Sequence, residues 1–534
     1  MLDLVIRNGL VVDGSGSTPF PADIGIEGDR IAAVGALSDA SAARVIDATG
    51  RIVTPGFIDT HSHTDFTVLG NPTQESTVRQ GVTTEVVGNC GIGCYPLSEL
   101  SRSAAVDRLR GLAYDGPVEW RSFGDFWTTV ARAGTSANFA SFVPHNAVRA
   151  AAGVRGPEFD ADQLRRMVAD VEEAMEAGAI GLSTGLEFEP GRLATADELR
   201  ILAQTVGRHH GIYVSHMRNR DVAIAAALDE FLDLARAAGG RGQCSHLNVR
   251  HNTGAPEGAW SRAVERLERE RAAGMDVFAD ATPMRTGDGT MAAILPPWLM
   301  ADGPAVAAER LRDVDVRRRA RDDGDRYWRF IAAGEWHRVR LLGSPEYPAL
   351  CGLTFPEIAK QLGCDEWDAF FHILVAAGEN IEGPGMIGEL FTEEMSVGHV
   401  SHPLFLLGAD TMSARVDGPL SLQTRHPLHF AAHTHILVHH VREVGALSLE
   451  EAVRKMTSMV ADRFGLRDRG RLRTGAFADV AVIDFEGLAE VSTIERPLAY
   501  ARGVEHVLVN GVAVVDDADH TGARPGRFLA PSGA

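Results

Sequence analysis

Cysteine is scarce in this chain: there are five in 534 residues, at positions 90, 94, 244, 351 and 364. So sparse and odd a set excludes a disulfide framework and fits a cytoplasmic setting. Long hydrophobic runs are missing too, which argues against a bilayer-spanning helix and a membrane partner. The first residues lack a basic segment followed by an apolar core, so no signal peptide is expected. Positive charge is in deficit: 52 lysines and arginines face 72 aspartates and glutamates, for a net charge of −20. That balance excludes nucleic acid as a partner. No short-period repeat occurs, which removes solenoid and propeller arrays. What remains is ordinary for a globular protein, with 45% hydrophobic and 23% charged residues. The length suffices for a large core and more than one domain. The partner this leaves is a small molecule, and a homo-oligomer stays open.

Against that plain background six residues stand out: His61, His63, Cys90, His216, His246 and Asp410. Each lies at or near the end of a short run that reads as a β-strand. Together they make a nearly complete ligand set for a metal site at the mouth of a (β/α) barrel. His61 and His63 close the run Ile52–Asp59 and its extension through Thr60. Strand side chains alternate faces, so the two imidazoles project the same way and can grip one ion. A lone His-x-His is weak; the other four residues give it weight. Cys90 ends Val86-Val87-Gly88-Asn89, and its thiolate suits zinc and can bridge two ions. The alternative is a buried, inert cysteine, which is how Cys94 and Cys244 are read. His216 follows Ile212-Tyr213-Val214-Ser215, and His246 follows Cys244-Ser245; taken singly, each is as readily structural. Asp410 closes Leu404–Ala409. It can bind metal and carry protons, or merely cap a helix.

These residues and their surroundings resemble the amidohydrolase superfamily, and within it the D-aminoacylase (N-acyl-D-amino-acid deacylase) family. The likeness runs over nearly the whole chain. It is carried by Gly56-Phe57-Ile58-Asp59, Gly88-Asn89-Cys90-Gly91, Gly181-Leu182-Ser183-Thr184-Gly185-Leu186, Ser215-His216-Met217-Arg218 and Ser245-His246-Leu247. Lys455-Met456-Thr457-Ser458 and Gly465-Leu466-Arg467-Asp468-Arg469-Gly470 complete it. The cysteine is the specific marker, because many two-metal members bridge their ions with a carboxylated lysine. This chain has only Lys360 and Lys455, neither at a recognisable barrel strand end. That argues against the hydantoinase and dihydroorotase branch.

The resemblance and the hydrophobic pattern together predict an α/β fold. It is a (β/α)8 TIM-like barrel over 55–469, with a small β-sandwich built from both chain ends, 1–54 and 470–534. Apolar strand-like runs alternate with amphipathic helices, clearest over 162–177 and 223–238. Residues 285–345 break the alternation, with Gly287-Asp288-Gly289 and an arginine-rich run, and match the family's insertion. They are expected to form a lid that excludes water.

The chemistry implied is that of a zinc-dependent amidohydrolase acting on non-peptide C–N bonds, with one or two ions. Metal lowers the pKa of a bound water to roughly 7, and the water attacks an amide carbonyl. His216, His246 and Cys90 hold one ion, and His61, His63 and Asp410 a second. The resemblance implies that one ion can suffice. Asp410 takes the proton from the water and hands it to the leaving nitrogen.

The likeness fails around the substrate. Family deacylases hold the substrate's α-carboxylate with a lysine, an arginine and tyrosines. Here Asn248 stands for the lysine, Phe188 for a tyrosine, Asp280 within Asp276–Asp280 for another, and His426-Pro427-Leu428 for His-Pro-Arg. An unpaired buried carboxylate costs several kcal/mol, on the order of the desolvation of an ion. The expected substrate is therefore a linear amide, carbamate or urea without a free α-carboxylate near the scissile bond. Phe188, Asn248, Asp280 and Arg285 are the expected contacts. Two readings compete. One is an N-acyl-D-amino-acid deacylase whose carboxylate site has moved to Arg218, Arg285 or Arg425. The other is a non-catalytic binding protein on the same fold.

Overall fold

The computed structural model describes residues 1–323 and 328–531; residues 324–327 of the expected lid segment lie outside the described residues. Among the described residues, one ring of parallel strands organises the chain. In order they are Phe57–Asp59, Val82–Val87, Asn138–Ser141 running on into Val143–Pro144, Gly181–Gly185, Ile212–His216, Arg241–Cys244, Asp276–Ala281 and Phe405–Leu407. Each pairs in parallel with the next. The ring closes just past the strand ends. Ser62 bridges to Thr411, the His63 amide donates to Thr411 O at 2.7 Å, and the Asp410 amide to His61 O at 2.8 Å. Eight strands so closed make the (β/α)8 barrel. Val82–Val87, Gly181–Gly185 and Ile212–His216 are buried along their whole length, as parallel strands covered on both faces are.

The helices between them form for legible reasons. Ala161–Glu176 starts at Asp160, whose carboxylate caps Gln163 N while the Gln163 side chain returns the bond. It buries Met167, Val171, Ala174 and Met175, one stripe at helical spacing. Ile224–Ala237 does the same with Leu228, Phe231, Leu232 and Ala235.

The two chain ends share a nine-stranded sheet. Its seam is Ile52–Pro55 running antiparallel to Val480–Ile483. It surrounds a cluster that takes Leu4, Ile6, Ile24 and Ile46 from one end and Val480, Val482 and Leu508 from the other.

A third packed unit lies between the seventh and eighth barrel strands. Thr286–Thr290, Val339–Gly343 and Gly385–Glu389 form an antiparallel sheet. Trp336, Phe355, Trp367 and Phe370 anchor a separate core beside it. The arginine-rich helix Val314–Asp323 pairs Arg318 with Asp315 and Arg319 with Asp323 on its exposed face. Lys455 is fully buried and donates to Val400 O and His402 O, at the end of helix Glu393–Ser401, away from the barrel mouth. No helix of the described residues is long and apolar enough to cross a membrane.

Candidate metal centre

The six residues meet at the end of the barrel where the strands finish. Three of them, Cys90, His246 and Asp410, have left-handed backbones, with φ of 54°, 35° and 52°. Such φ values are uncommon for residues with a Cβ and gather where function fixes a side chain. Here each turns the chain sharply at a strand end and aims its side chain at the barrel axis. Close approach needs glycine at two neighbours. A Cβ on Gly408 would lie 2.7 Å from His61 Cβ, and one on Gly91 2.8 Å from Asn146 Oδ1.

The donor atoms fall into two sets. In one, His61, His63, Cys90 and Asp410 each place an atom within 4.8 Å of the others; in the second, Cys90, His216 and His246 do so. Cys90 belongs to both. Its Sγ lies 3.3 Å from His61 Nε2 and 3.4 Å from His246 Nε2. Asp410 Oδ1 is 3.2 Å from both His61 Nε2 and His63 Nε2. Thiolate, imidazole and carboxylate in this number are the donors zinc takes. All are buried except the Asp410 side chain, which is 29% exposed and so faces the open chamber.

Without metal the cluster balances its charge with protons. Burial lowers the His61 and His63 pKa values, but Asp410 and Cys90 outweigh it. His61 is raised well above its usual value and His63 to about 9. Burial raises Cys90 and Asp410, but the imidazoles His61 and His246 prevail and hold both groups well below their usual ranges. His246 goes the other way, down to about 4, through burial and then Arg220. Arg220 donates to its Nδ1 at 2.8 Å. The neutral ring therefore carries its proton on Nε2, toward Cys90.

Metal ligation needs neutral imidazole, so protons compete with the ion. Zinc uptake near pH 7 should release protons, and affinity should climb as pH rises through about 9, where His63 deprotonates. In the metal-free protein the sign for stability is opposite. The raised His63 contributes fully below pH 6.5, and that contribution is lost as pH passes about 9. Calorimetry in buffers of different ionisation enthalpy measures the release; uptake without protons would contradict this charge state.

The expected substrate contacts divide. Phe188 packs its ring 4.5 Å from that of His216. Asn248 is buried and accepts from Arg220 at 3.4 Å. Asp280 does not face the chamber. It is 1% exposed, lies 3.1 Å from His61 Nδ1, and accepts from the His246 amide and from Gln243 at 2.8 Å each. It fixes the ring and tautomer of His61, a role carboxylates commonly play behind metal-binding histidines. Asp280→Asn is expected to weaken zinc binding about 10- to 100-fold, read by competition with a chromogenic chelator; unchanged affinity would contradict the role. Arg285 is also misplaced as a contact: its half-exposed side chain pairs with Glu389 and Glu393. Arg218 is held by Glu230 and the carbonyls of Arg192 and Ala194. Arg425 is half-buried. Leu428, where an arginine was expected, joins Met284, Ala409, Ala431 and Ala432 in an apolar cluster adjoining Asp410.

Sequence reasoning missed a second polar group beside the first. Glu187, on the loop after the fourth strand, places Oε2 2.7 Å from His216 Nε2, 3.3 Å from Arg220 and 3.1 Å from Arg250. Arg250 also pairs with Asp221 at 3.1 Å. Burial raises the Glu187 pKa, but Arg250, Arg220 and His216 hold it well below the carboxylate range. A signal was there: Arg220 and Arg250 each follow a site histidine by four residues. From the lid sheet, Asp288 comes near enough to feel Asp410 and His63; burial first, then Asp410, pushes it up to about 6.

Comparison with known proteins matches these features. A model described as the amidohydrolase family covers residues 44–515. An N-acyl-D-glutamate deacylase of Alcaligenes xylosoxydans xylosoxydans is 35% identical over 99% of this chain and 96% of its own. A solved D-aminoacylase, studied for its binuclear metal centre, superposes with a TM-score of 0.81 at 30% identity, covering 99% of this chain and 100% of its own. An N-acyl-D-glutamate deacylase from Bordetella bronchiseptica, complexed with zinc and a phosphonate mimic of the tetrahedral intermediate, gives 0.80 at 29% identity, covering 99% of each chain.

Proposed function

The chain belongs to the amidohydrolase family, and from that premise we propose that it is a zinc-dependent hydrolase of a linear amide-type C–N bond. We propose further that its substrate lacks a free α-carboxylate. One observation carries the first part: the donors of His61, His63, Cys90, His216, His246 and Asp410 converge in two sets that share a thiolate. The residues fit zinc. Cys90, His216 and His246 would hold one ion, and His61, His63 and Asp410, with Cys90 between, a second. When bound, zinc acts as a Lewis acid that eases deprotonation of water and polarises the amide carbonyl.

The chain's own groups do the rest. Asp410 accepts a proton at its carboxylate as water adds to the carbonyl carbon, then returns it to the nitrogen as the C–N bond breaks. Asp280 keeps His61 in register from behind. Phe188 gives the chamber an apolar wall against His216. The unit around residues 285–345 acts as the lid, with Asp288 on its edge strand Thr286–Thr290. The five free cysteines support a cytoplasmic setting.

The second part rests on charge. Asn248 and Leu428 are neutral where family members carry cations. The two buried guanidiniums beside the site, Arg220 and Arg250, are already matched by two carboxylates, Glu187 and Asp221. A further buried anion would meet no unbalanced positive charge there. The test is hydrolysis by zinc-loaded protein of matched sets: N-acyl-D-amino acids, their primary amides and their anilides. Higher kcat/KM on the neutral members is expected. Preference for the free acids would overturn the substrate assignment and leave a deacylase with a relocated carboxylate site.

A further inference from the structure

We propose that Glu187 is a specificity-determining residue: its carboxylate occupies the guanidinium pair that would otherwise receive a carboxylate of the substrate. The inference rests on the reading of a neutral substrate given above and names the device that enforces it.

Three observations place the device. Glu187 Oε2 takes hydrogen bonds from Arg220 NH2 and Arg250 NH2, at 3.3 and 3.1 Å. Two guanidinium groups on one oxygen are how proteins commonly bind a foreign carboxylate. The pair is also beside the reacting centre. Glu187 Oε2 is 2.7 Å from His216 Nε2, and Arg220 NH1 is 2.8 Å from His246 Nδ1. The α-carboxylate of an N-acyl amino acid stands three bonds from its scissile carbonyl carbon, so a carbonyl held at those histidines would bring it toward the same guanidiniums. Finally the pair is dry: the Glu187, Arg220 and Arg250 side chains are 9, 7 and 1% exposed. Charge in so closed a place is felt at full strength, and a second carboxylate would meet Glu187 rather than free cations.

The position of Glu187 suits the task. It stands on the turn that leaves the fourth strand, where the Leu186 amide donates to His216 O at 2.9 Å. Arg149, fully buried, holds the far side of that turn by donating to Pro190 O at 3.2 Å. The loop backbone is thus fastened at both ends, and the carboxylate swings aside only by giving up its contacts with Arg220, Arg250 and His216.

The experiment compares wild type, Glu187→Gln and Glu187→Ala, each zinc-loaded and checked for zinc content and thermal unfolding. The probes are N-acetyl-D-alanine and its primary amide, used as ligands in calorimetry and as competitors of an N-acyl anilide. Wild type should bind the amide better than the acid. In both variants the acid-to-amide affinity ratio should rise by about tenfold or more, with zinc content unchanged. An unchanged ratio in a folded, zinc-replete variant overturns the proposal. The comparison is made at saturating zinc, because Glu187 Oε2 lies 2.7 Å from His216 Nε2 and its removal is expected to weaken zinc binding about 10- to 100-fold. If Glu187→Ala fails to fold, the isosteric Gln variant decides. The neutral-substrate reading fails separately: wild type itself would prefer the acid.

Discussion

Asp410→Asn is expected to lower kcat/KM by about 10³- to 10⁴-fold while the fold and zinc at the Cys90, His216 and His246 set persist. The substitution changes two hydrogens' worth of size and removes one charge. Three contacts define what is lost: 3.2 Å to His61, 3.2 Å to His63 and 3.9 Å to His246. Among the six donors only this side chain is substantially exposed, at 29%. It can therefore meet both an incoming water and a leaving nitrogen. An amide neither accepts a proton usefully nor returns one, so chemistry stops where binding does not. The expected pattern is a fall in kcat with KM little changed. A matched loss of zinc from both sets would move Asp410 from proton carrier to essential ligand. Retained activity would remove it from the reaction.

Cys90→Ala should be as severe by a different route. The thiolate belongs to both convergent sets, so its loss takes a ligand from each. The variant should lose its zinc on dialysis and fall about 10³-fold or more in activity. The backbone argues against a trivial folding defect, since alanine and cysteine meet the same penalty at φ of 54°. Cys94→Ala is the control. Cys94 is buried too, but burial and then Asp65 push its thiol well above the usual range, and it belongs to neither convergent donor set. It should keep zinc and activity. Zinc analysis of the two purified variants decides; a zinc-replete Cys90→Ala would contradict the shared-ligand arrangement.

What was readable in the sequence, and what was not, divides on physical lines. The ring of strands was legible only in part: Val86-Val87, Ile212-Tyr213-Val214 and Phe405-Leu406-Leu407 are short apolar runs of the kind buried parallel strands favour, whereas Val82–Val87 also buries Thr83, Thr84 and Glu85. The six donors were legible because each closes such a run, and in a barrel all strands finish at one end. Local pattern ends there. Asp280 also closes a strand, and only the packing of its neighbours turns it to His61 and the His246 amide rather than to the chamber. Arg285 lies next to the lid sheet, yet surface glutamates claim it. Glu187, Arg220 and Arg250 come from three separate strand ends; the four-residue offset from a site histidine marks the two arginines, but nothing local joins Glu187 to them. Asp288 is brought in by a strand whose partner, Gly385–Glu389, is about a hundred residues away. Contacts of such sequence separation are set by tertiary assembly, which periodicity does not encode.

The most direct test of the account is a zinc titration of metal-free protein against a panel of neutral N-acyl amides and anilides, with Asp410→Asn at equal zinc content beside it. No hydrolysis is expected without zinc, turnover should appear as zinc fills the site, and the substituted protein should stay about 10³- to 10⁴-fold slower. Turnover by the metal-free chain, or by Asp410→Asn at the wild-type rate, would contradict it.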